Sequence, residues 1–338
     1  MTSRETLHYT LSPMAPPVSL WRQIQKTNFT QIEPLLDFLK MPEELRGKIL
    51  KKPRFVLNLP LRLAEKIEKG TLEDPILRQF IPLDEENTIV PGFVKDPIQE
   101  KEFQKTKKVL HKYKSRTLLI TTSACAMHCR YCFRQNFPYE TQEMSFDEEL
   151  SYMAKDPTIS EVILSGGDPL SLSDVKLATL LTALDAIKHV KRIRFHTRFP
   201  IGIPERIDDA FLDILRASTK QLFFVIHSNH KKELDADVLT ALKKIQRLGI
   251  PILNQSVLLK GVNDDETVLL ELSETLSNAG IIPYYLHSLD PVEGTSHFAL
   301  PSDRGLQLIR HIQENFSGFG VPRLVREEPG RPSKTFLR

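Results

Sequence analysis

The spacing of apolar positions changes near residue 116. Before it, stretches with helical spacing, WRQIQKTNFTQIEPLLDFLK and LPLRLAEKIEKG, are separated by proline-rich connectors such as the loop-like IVPGFVKDP. Apolar residues three and four apart share one helix face, and proline ends such a stripe. From Arg116 onward, compact β-branched and aromatic runs recur at 116–123, 161–166, 192–198, 221–228, 251–259 and 282–290. Between them lie helical patterns such as LSDVKLATLLTALDAIK and DADVLTALKKIQRLG. Six strands alternating with helices predict right-handed β–α–β units and a parallel sheet, hence an α/β fold. Six units fit a partial TIM-type (β/α)6 barrel better than the eight of a closed one, although spacing alone also admits a doubly wound open sheet. The predicted organisation is a mostly helical segment over 1–115, the barrel over 116–325 and a tail over 326–338.

Composition changes this picture little. The 338 residues suit one large domain or two small ones, and 41% hydrophobic residues build an ordinary core. With 46 basic against 43 acidic residues, net charge argues for neither nucleic acid nor membrane. The densest basic stretch, KTKKVLHKYKSR (105–116), reads as a solvated lead-in to the first barrel strand. The N-terminus lacks the apolar core of a signal peptide, and no apolar run approaches the ~18 residues of a membrane span. Reduced cysteines and no export signal predict the cytoplasm.

Polar and glycine residues gather where the predicted strands end. Cys125, Cys129 and Cys132 follow the first; Ser165, Gly166, Gly167 and Asp168 the second. Thr197 and Arg198 close the third, His227–His230 the fourth; Asn254 and Gln255 lie along the fifth, and Asp290 ends the sixth. Carboxyl ends of parallel strands are where α/β barrels place active sites. The chain has only three cysteines, all in CAMHCRYC. Three thiolates can hold three corners of a 4Fe–4S cluster and leave one iron open to a small molecule. Structural zinc wants four ligands, and a CxxC redox pair leaves Cys125 unexplained; both remain alternatives.

The spacing CxxxCxxC followed by Phe133 resembles the cluster loop of radical S-adenosylmethionine (SAM) enzymes, and SGGDPL resembles their GGE-type motif. That likeness implies that Asp168, with the Gly166–Gly167 backbone, holds the amino group of SAM. CAMHCRYCFRQ, SGGDPL, NQSVLLKGVND and PYYLHSLDPVEGTSHF together are similar to the lysine 2,3-aminomutase family, from about Phe55 to the C-terminus. The resemblance implies a second cofactor, pyridoxal 5′-phosphate, carried as an imine on Lys334 in REEPGRPSKTF, with Tyr113 and Arg116 lining its site and Arg116 on the phosphate. It implies that Arg134 pairs with the substrate α-carboxylate and Asp290 with the distal ammonium of L-lysine. The second family carboxylate is aspartate, whereas Glu327 stands at the matching place, one methylene longer. His230, Asn254 and Gln255 match contacts to SAM or pyridoxal phosphate, with a buried structural histidine the competing reading of His230.

The implied reaction is 2,3-amino migration that turns L-α-lysine into β-lysine, with hydrogen removed from carbon 3 by a radical derived from SAM. Catabolic members carry further cysteines for a structural zinc beyond the cofactor lysine, and none occurs here. The short form and PSKT resemble the branch that supplies β-lysine to a ligase modifying translation elongation factor P. The implied partners are L-lysine, a flavodoxin or ferredoxin as electron donor, that ligase and factor, and a second copy of the chain. Other amino acids as substrate, catabolic use of lysine, and a non-catalytic iron–sulfur protein are the competing functions. Asp290 with Glu327 favours a distal ammonium, because two carboxylates repel a third.

Overall fold

The computed structural model describes residues 19–139 and 145–338, so the N-terminal stretch read above for a leader lies outside the described residues up to Val18. Among the described residues no helix is long and apolar enough to cross a membrane. The six predicted strands are present as β2 (Arg116–Thr122), β3 (Glu161–Gly166), β4 (Arg192–Thr197), β5 (Gln221–Ile226), β6 (Ile252–Val257) and β7 (Ile282–His287). Periodicity did not reveal three short strands: β1 (Val109–Tyr113), β8 (Arg323–Arg326) and β9 (Thr335–Phe336). Strands β2 to β8 run parallel in sequence order, and β1 and β9 add antiparallel edges.

Each parallel step is crossed by a helix. Asp147–Lys155, Asp174–Asp185, Asp209–Ala217, Ala236–Gln246, Glu266–Asn278 and Ser302–Asn315 follow β2 to β7 in turn. Four of these helices begin at a side-chain cap, from Ser173, Asp208, Asp235 or Asp265, onto a free N–H of the first turn. Each such cap is worth about 1 kcal/mol and fixes where the chain leaves its loop. In β4, Ile193 and Phe195 are buried toward the helices while Arg194 and His196 line an interior cavity. That cavity, of about 530 Å³, is lined by residues in or just after each strand from β1 to β9, so the sheet is curled around it. No ladder pairs β1 with β9, which leaves the barrel open at one seam.

The N-terminal helices share one apolar core with the barrel, running from Trp21 to Leu324. Trp21 meets Phe199 edge-on at 5.4 Å, and the Arg206 guanidinium lies 4.8 Å from the Trp21 ring. More telling is what this layer does to the loop after β2. Asn58 O accepts from His128 N (2.9 Å), Gln79 O from Arg130 N (2.9 Å), and Asn28 Nδ2 donates to Ala126 O (2.8 Å). A loop with no ladder of its own thereby has its backbone groups satisfied by a packed neighbour.

From the other side the same loop is pressed by the turn after β3. Gly166 has φ +112°, and a Cβ there would lie 2.8 Å from Thr122 O. A Cβ on Gly167 would lie 2.3 Å from Ala124 O and 2.7 Å from the Ser123 carbonyl carbon. Both obstacles are backbone, which cannot rotate aside. The basic stretch 105–116 is not simply solvated as its composition suggests. It forms edge strand β1, with Lys108 buried and donating to Ser145 O (2.8 Å) and Lys112 turned into the cavity. Replacing Gly167 by alanine should lower stability by about 1–3 kcal/mol, the usual penalty for overpacking. Chemical denaturation of the metal-free protein checks this; an unchanged midpoint would show that the contact relaxes.

Candidate active site

The cavity spans the length of β2, from Arg116 and Thr117 at its start to Ser123 beyond its end. Cys125, Cys129 and Cys132 line one part of it, with Ser165, Gly166, Gly167 and Asp168 beside them. Tyr113, Arg116, Arg134, Gln255, Asp290, Glu327 and Lys334 line it as well. The structure therefore brings together every sequence-derived site residue except two. His230 caps a short helical turn, its Nδ1 accepting from Lys232 N (3.1 Å). Asn254 ties β6 to the end of β5, with Oδ1 accepting from Ser228 N (2.9 Å) and Nδ2 donating to Ser228 O (3.1 Å). Neither lines the cavity, because hydrogen bonds to the surrounding chain hold both side chains elsewhere. Arg331, three residues before Lys334, lies 3.5 Å from Glu328.

Asp168 also needs correction. Its Oδ1 accepts from Leu170 N (3.0 Å) and Thr197 Oγ1 (2.7 Å), and its Oδ2 from Arg198 N (2.8 Å) and Phe199 N (3.0 Å). Two carboxylate oxygens offer about four lone-pair sites, and these bonds occupy them. The side chain is thus a clamp joining the turns after β3 and β4, and a ligand ammonium would meet the Gly166–Gly167 backbone. Burial raises the Asp168 carboxyl to about 6, against the pull of its donors.

Arg134 is fully enclosed and charged: desolvation disfavours the charge, but the Glu100 carboxylate outweighs it and raises the pKa. Glu100 takes Nε (2.8 Å) and Nη2 (2.6 Å), and Ser165 Oγ takes Nη1 (3.1 Å). Of the guanidinium's five N–H groups, one on each terminal nitrogen has no partner among the described residues. Two N–H groups on one guanidinium can serve one carboxylate.

Glu327 bridges the open seam. It follows β8 and accepts from Lys112 Nζ (2.5 Å) and Tyr113 OH on the β1 edge, and from Lys334 Nζ (2.6 Å) just before β9. Burial pushes its carboxyl up, yet Lys334, Lys112 and Tyr113 together bring it below the ordinary value. Among the described residues the Asp290 side chain has no such partners. Burial raises its carboxyl to about 7, only partly offset by Lys334. Three histidines that sequence reading did not assign, His196, His227 and His287, line the cavity with Nε2 unpartnered among the described residues. Burial lowers all three, His227 to about 3, so they are neutral. Buried polar atoms without partners are uncommon and point to a polar ligand.

These features fit the cofactors. Three thiols in one buttressed loop supply a cluster's protein ligands, and burial keeps Cys132 protonated up to about 12 until a metal claims it. Lys334, Arg116 and the free imidazoles of His196 and His287, both under the field of Lys334, suit a phosphorylated aldehyde.

Comparison with known proteins agrees. The radical SAM superfamily pattern matches residues 119–272. The chain is 43% identical to L-lysine 2,3-aminomutase of Escherichia coli, over 91% of each chain. It is 41% identical to that of Haemophilus influenzae, over 93% of this chain and 94% of the relative. The Clostridium subterminale L-lysine 2,3-aminomutase is 30% identical over 93% of this chain and 77% of its own length. The chain belongs to the lysine 2,3-aminomutase family of radical SAM enzymes.

If Asp290 is the group that takes a substrate ammonium, it does so as the carboxylate, not the neutral acid. Below about pH 7 its binding must first release a proton, so KM for a diamino acid should rise toward tenfold per unit as pH falls. A pH series of KM checks this; a flat profile over about two pH units around that value would remove Asp290 from substrate contact.

Proposed function

We propose that the chain moves the α-amino group of L-lysine to carbon 3, giving β-lysine, with SAM, a 4Fe–4S cluster and pyridoxal phosphate. The observation that carries this reading is that the cysteine trio and Lys334 line one and the same cavity. When bound, the cluster supplies an electron, SAM a hydrogen-abstracting carbon radical, and pyridoxal phosphate an electron-withdrawing ring on the migrating nitrogen.

The chain's own residues do the positioning. Cys125, Cys129 and Cys132 hold the cluster, and the Gly166–Gly167 backbone gives SAM close approach. Arg134 presents its two remaining N–H groups to the α-carboxylate. Asp290 takes the distal ammonium, whose charge favours the ionised form of that carboxyl. Lys334 carries the pyridoxal phosphate, with Arg116 on its phosphate. Glu327 holds the Lys334 ammonium in the free protein and can take up its proton when the amine becomes a nucleophile. Because Lys112 and Tyr113 already share Glu327, Asp290 is the better-placed partner for the substrate, and Glu327 the partner of Lys334. The enclosing barrel excludes water from the reacting atoms.

A flavodoxin or ferredoxin as reductant, action as a homo-oligomer and a cytoplasmic setting complete the proposal. Its destination for β-lysine, a ligase that modifies elongation factor P, rests on the likeness of PSKT around Lys334 to that branch. Adding the ligase, the factor and the turnover mixture should increase the factor's mass by one β-lysine residue; an unmodified factor would count against that destination.

Lys334→Ala should abolish both the borohydride-trapped cofactor adduct and β-lysine formation after anaerobic reconstitution, while retaining iron and slow SAM cleavage. An adduct that survives would place the cofactor on another lysine.

A further inference from the structure

Arg198 closes β4 and is buried with its guanidinium aimed at the cysteine loop rather than held in reserve at the surface. Its Nη1 lies 2.7 Å from Cys129 Sγ and also contacts the Tyr131 hydroxyl. Its Nη2 is fixed by Gln79 Oε1 (2.7 Å) and Glu233 Oε2 (2.9 Å). Glu233 is itself tied down, its Oε1 accepting from Gln79 Nε2 (3.0 Å) and Asn229 N (3.1 Å). Asn229 Nδ2 in turn donates to Tyr131 OH (2.7 Å). The backbone N–H of Arg198 is held by Asp168 Oδ2 at 2.8 Å. Groups from the N-terminal layer, the cysteine loop and the ends of β3 and β5 thus fix one cation against one thiol.

We propose that Arg198 is the hydrogen-bond donor to the cluster ligand Cys129 and the fixed positive charge that raises the cluster's reduction potential, with Glu233 as its counter-charge. This rests on the three cysteines binding a cluster. Adding an electron to a buried cluster increases its negative charge, and a cation held against a ligand sulfur favours that step. Hydrogen bonds to sulfur and net charge are among the levers that set such potentials. Low effective dielectric at a buried site makes each charge count for more than it would in water. Arg198 acts through Cys129 and is a positioning residue, not a catalytic one.

The test is an anaerobic redox titration of the reconstituted protein, followed by electron paramagnetic resonance without SAM, after iron and sulfide are quantified. Wild-type protein with no cluster signal would sink the cluster reading itself, separately from this inference. Arg198→Lys, which retains charge but loses the fork, should make reduction about tenfold less favourable, or 59 mV for a one-electron couple. Glu233→Gln should move the potential the other way. Two variants with full clusters and wild-type potentials would overturn the proposal. A shift in Arg198→Lys seen only with SAM present would also overturn it, by assigning the guanidinium to SAM. If Arg198→Lys fails to retain iron, Glu233→Gln decides: a rise supports the proposal and no change refutes it.

Discussion

The backbone of the cysteine loop, residues 123–132, is held between two surfaces, and the remaining site geometry follows from that confinement. On one side the N-terminal layer supplies carbonyl and amide partners from Asn28, Asn58 and Gln79. On the other, Gly166 and Gly167 approach so closely that no side-chain carbon fits between the two strands' ends. A loop fixed in this way presents three sulfurs in a set arrangement before any metal arrives. That is preorganisation, and it lowers the ordering cost when a ligand binds. The N-terminal segment is accordingly part of the site's foundation, although it contributes few groups to the cavity.

Charge divides the cavity into regions with different tasks. Around the cysteines, Arg198 and Glu233 form an enclosed pair, and Arg134 with Glu100 forms another. Buried pairs of this kind add little net stability, but removing one partner leaves an expensive lone charge. Across the seam, Glu327 joins β1 to the β8–β9 hairpin by ion pairs instead of a strand ladder. The longer side chain at that position has a structural use here, since it meets two ammonium groups and a phenol together. Asp290 is left as the carboxyl whose charge is least supported by the protein, which is the electrostatic condition for a cationic ligand to complete it.

Much of this was legible from residues. Six hydrophobic runs marked β2–β7, and the polar groups after them marked the cavity, because period and strand polarity are properties of local sequence. The short strands escaped notice: RLVR and TF are too brief for a period, and pairing with neighbours alone makes them strands. Lys112 looked like one more solvated cation in KTKKVLHKYKSR, and only the edge strand's alternation turns it inward. Asn254 and His230 carried ligand-like chemistry, but their hydrogen bonds go to nearby backbone groups. Asp168 was placed correctly in the turn, whereas the saturation of its carboxylate depends on Thr197 and Phe199, distant in sequence. Glu100 and the neutral histidines could not be assigned without the curl of the sheet.

The three cysteines and Lys334 line one cavity, and the proposed reaction requires the radical source and the substrate to meet there. The direct measurement is anaerobic turnover with lysine deuterated at carbon 3, followed by mass spectrometry of the nucleoside and amino acid products. Deuterium is expected in 5′-deoxyadenosine, and in β-lysine as deuterium returned to carbon 2. SAM cleavage that leaves all the label on unchanged lysine would contradict that expectation.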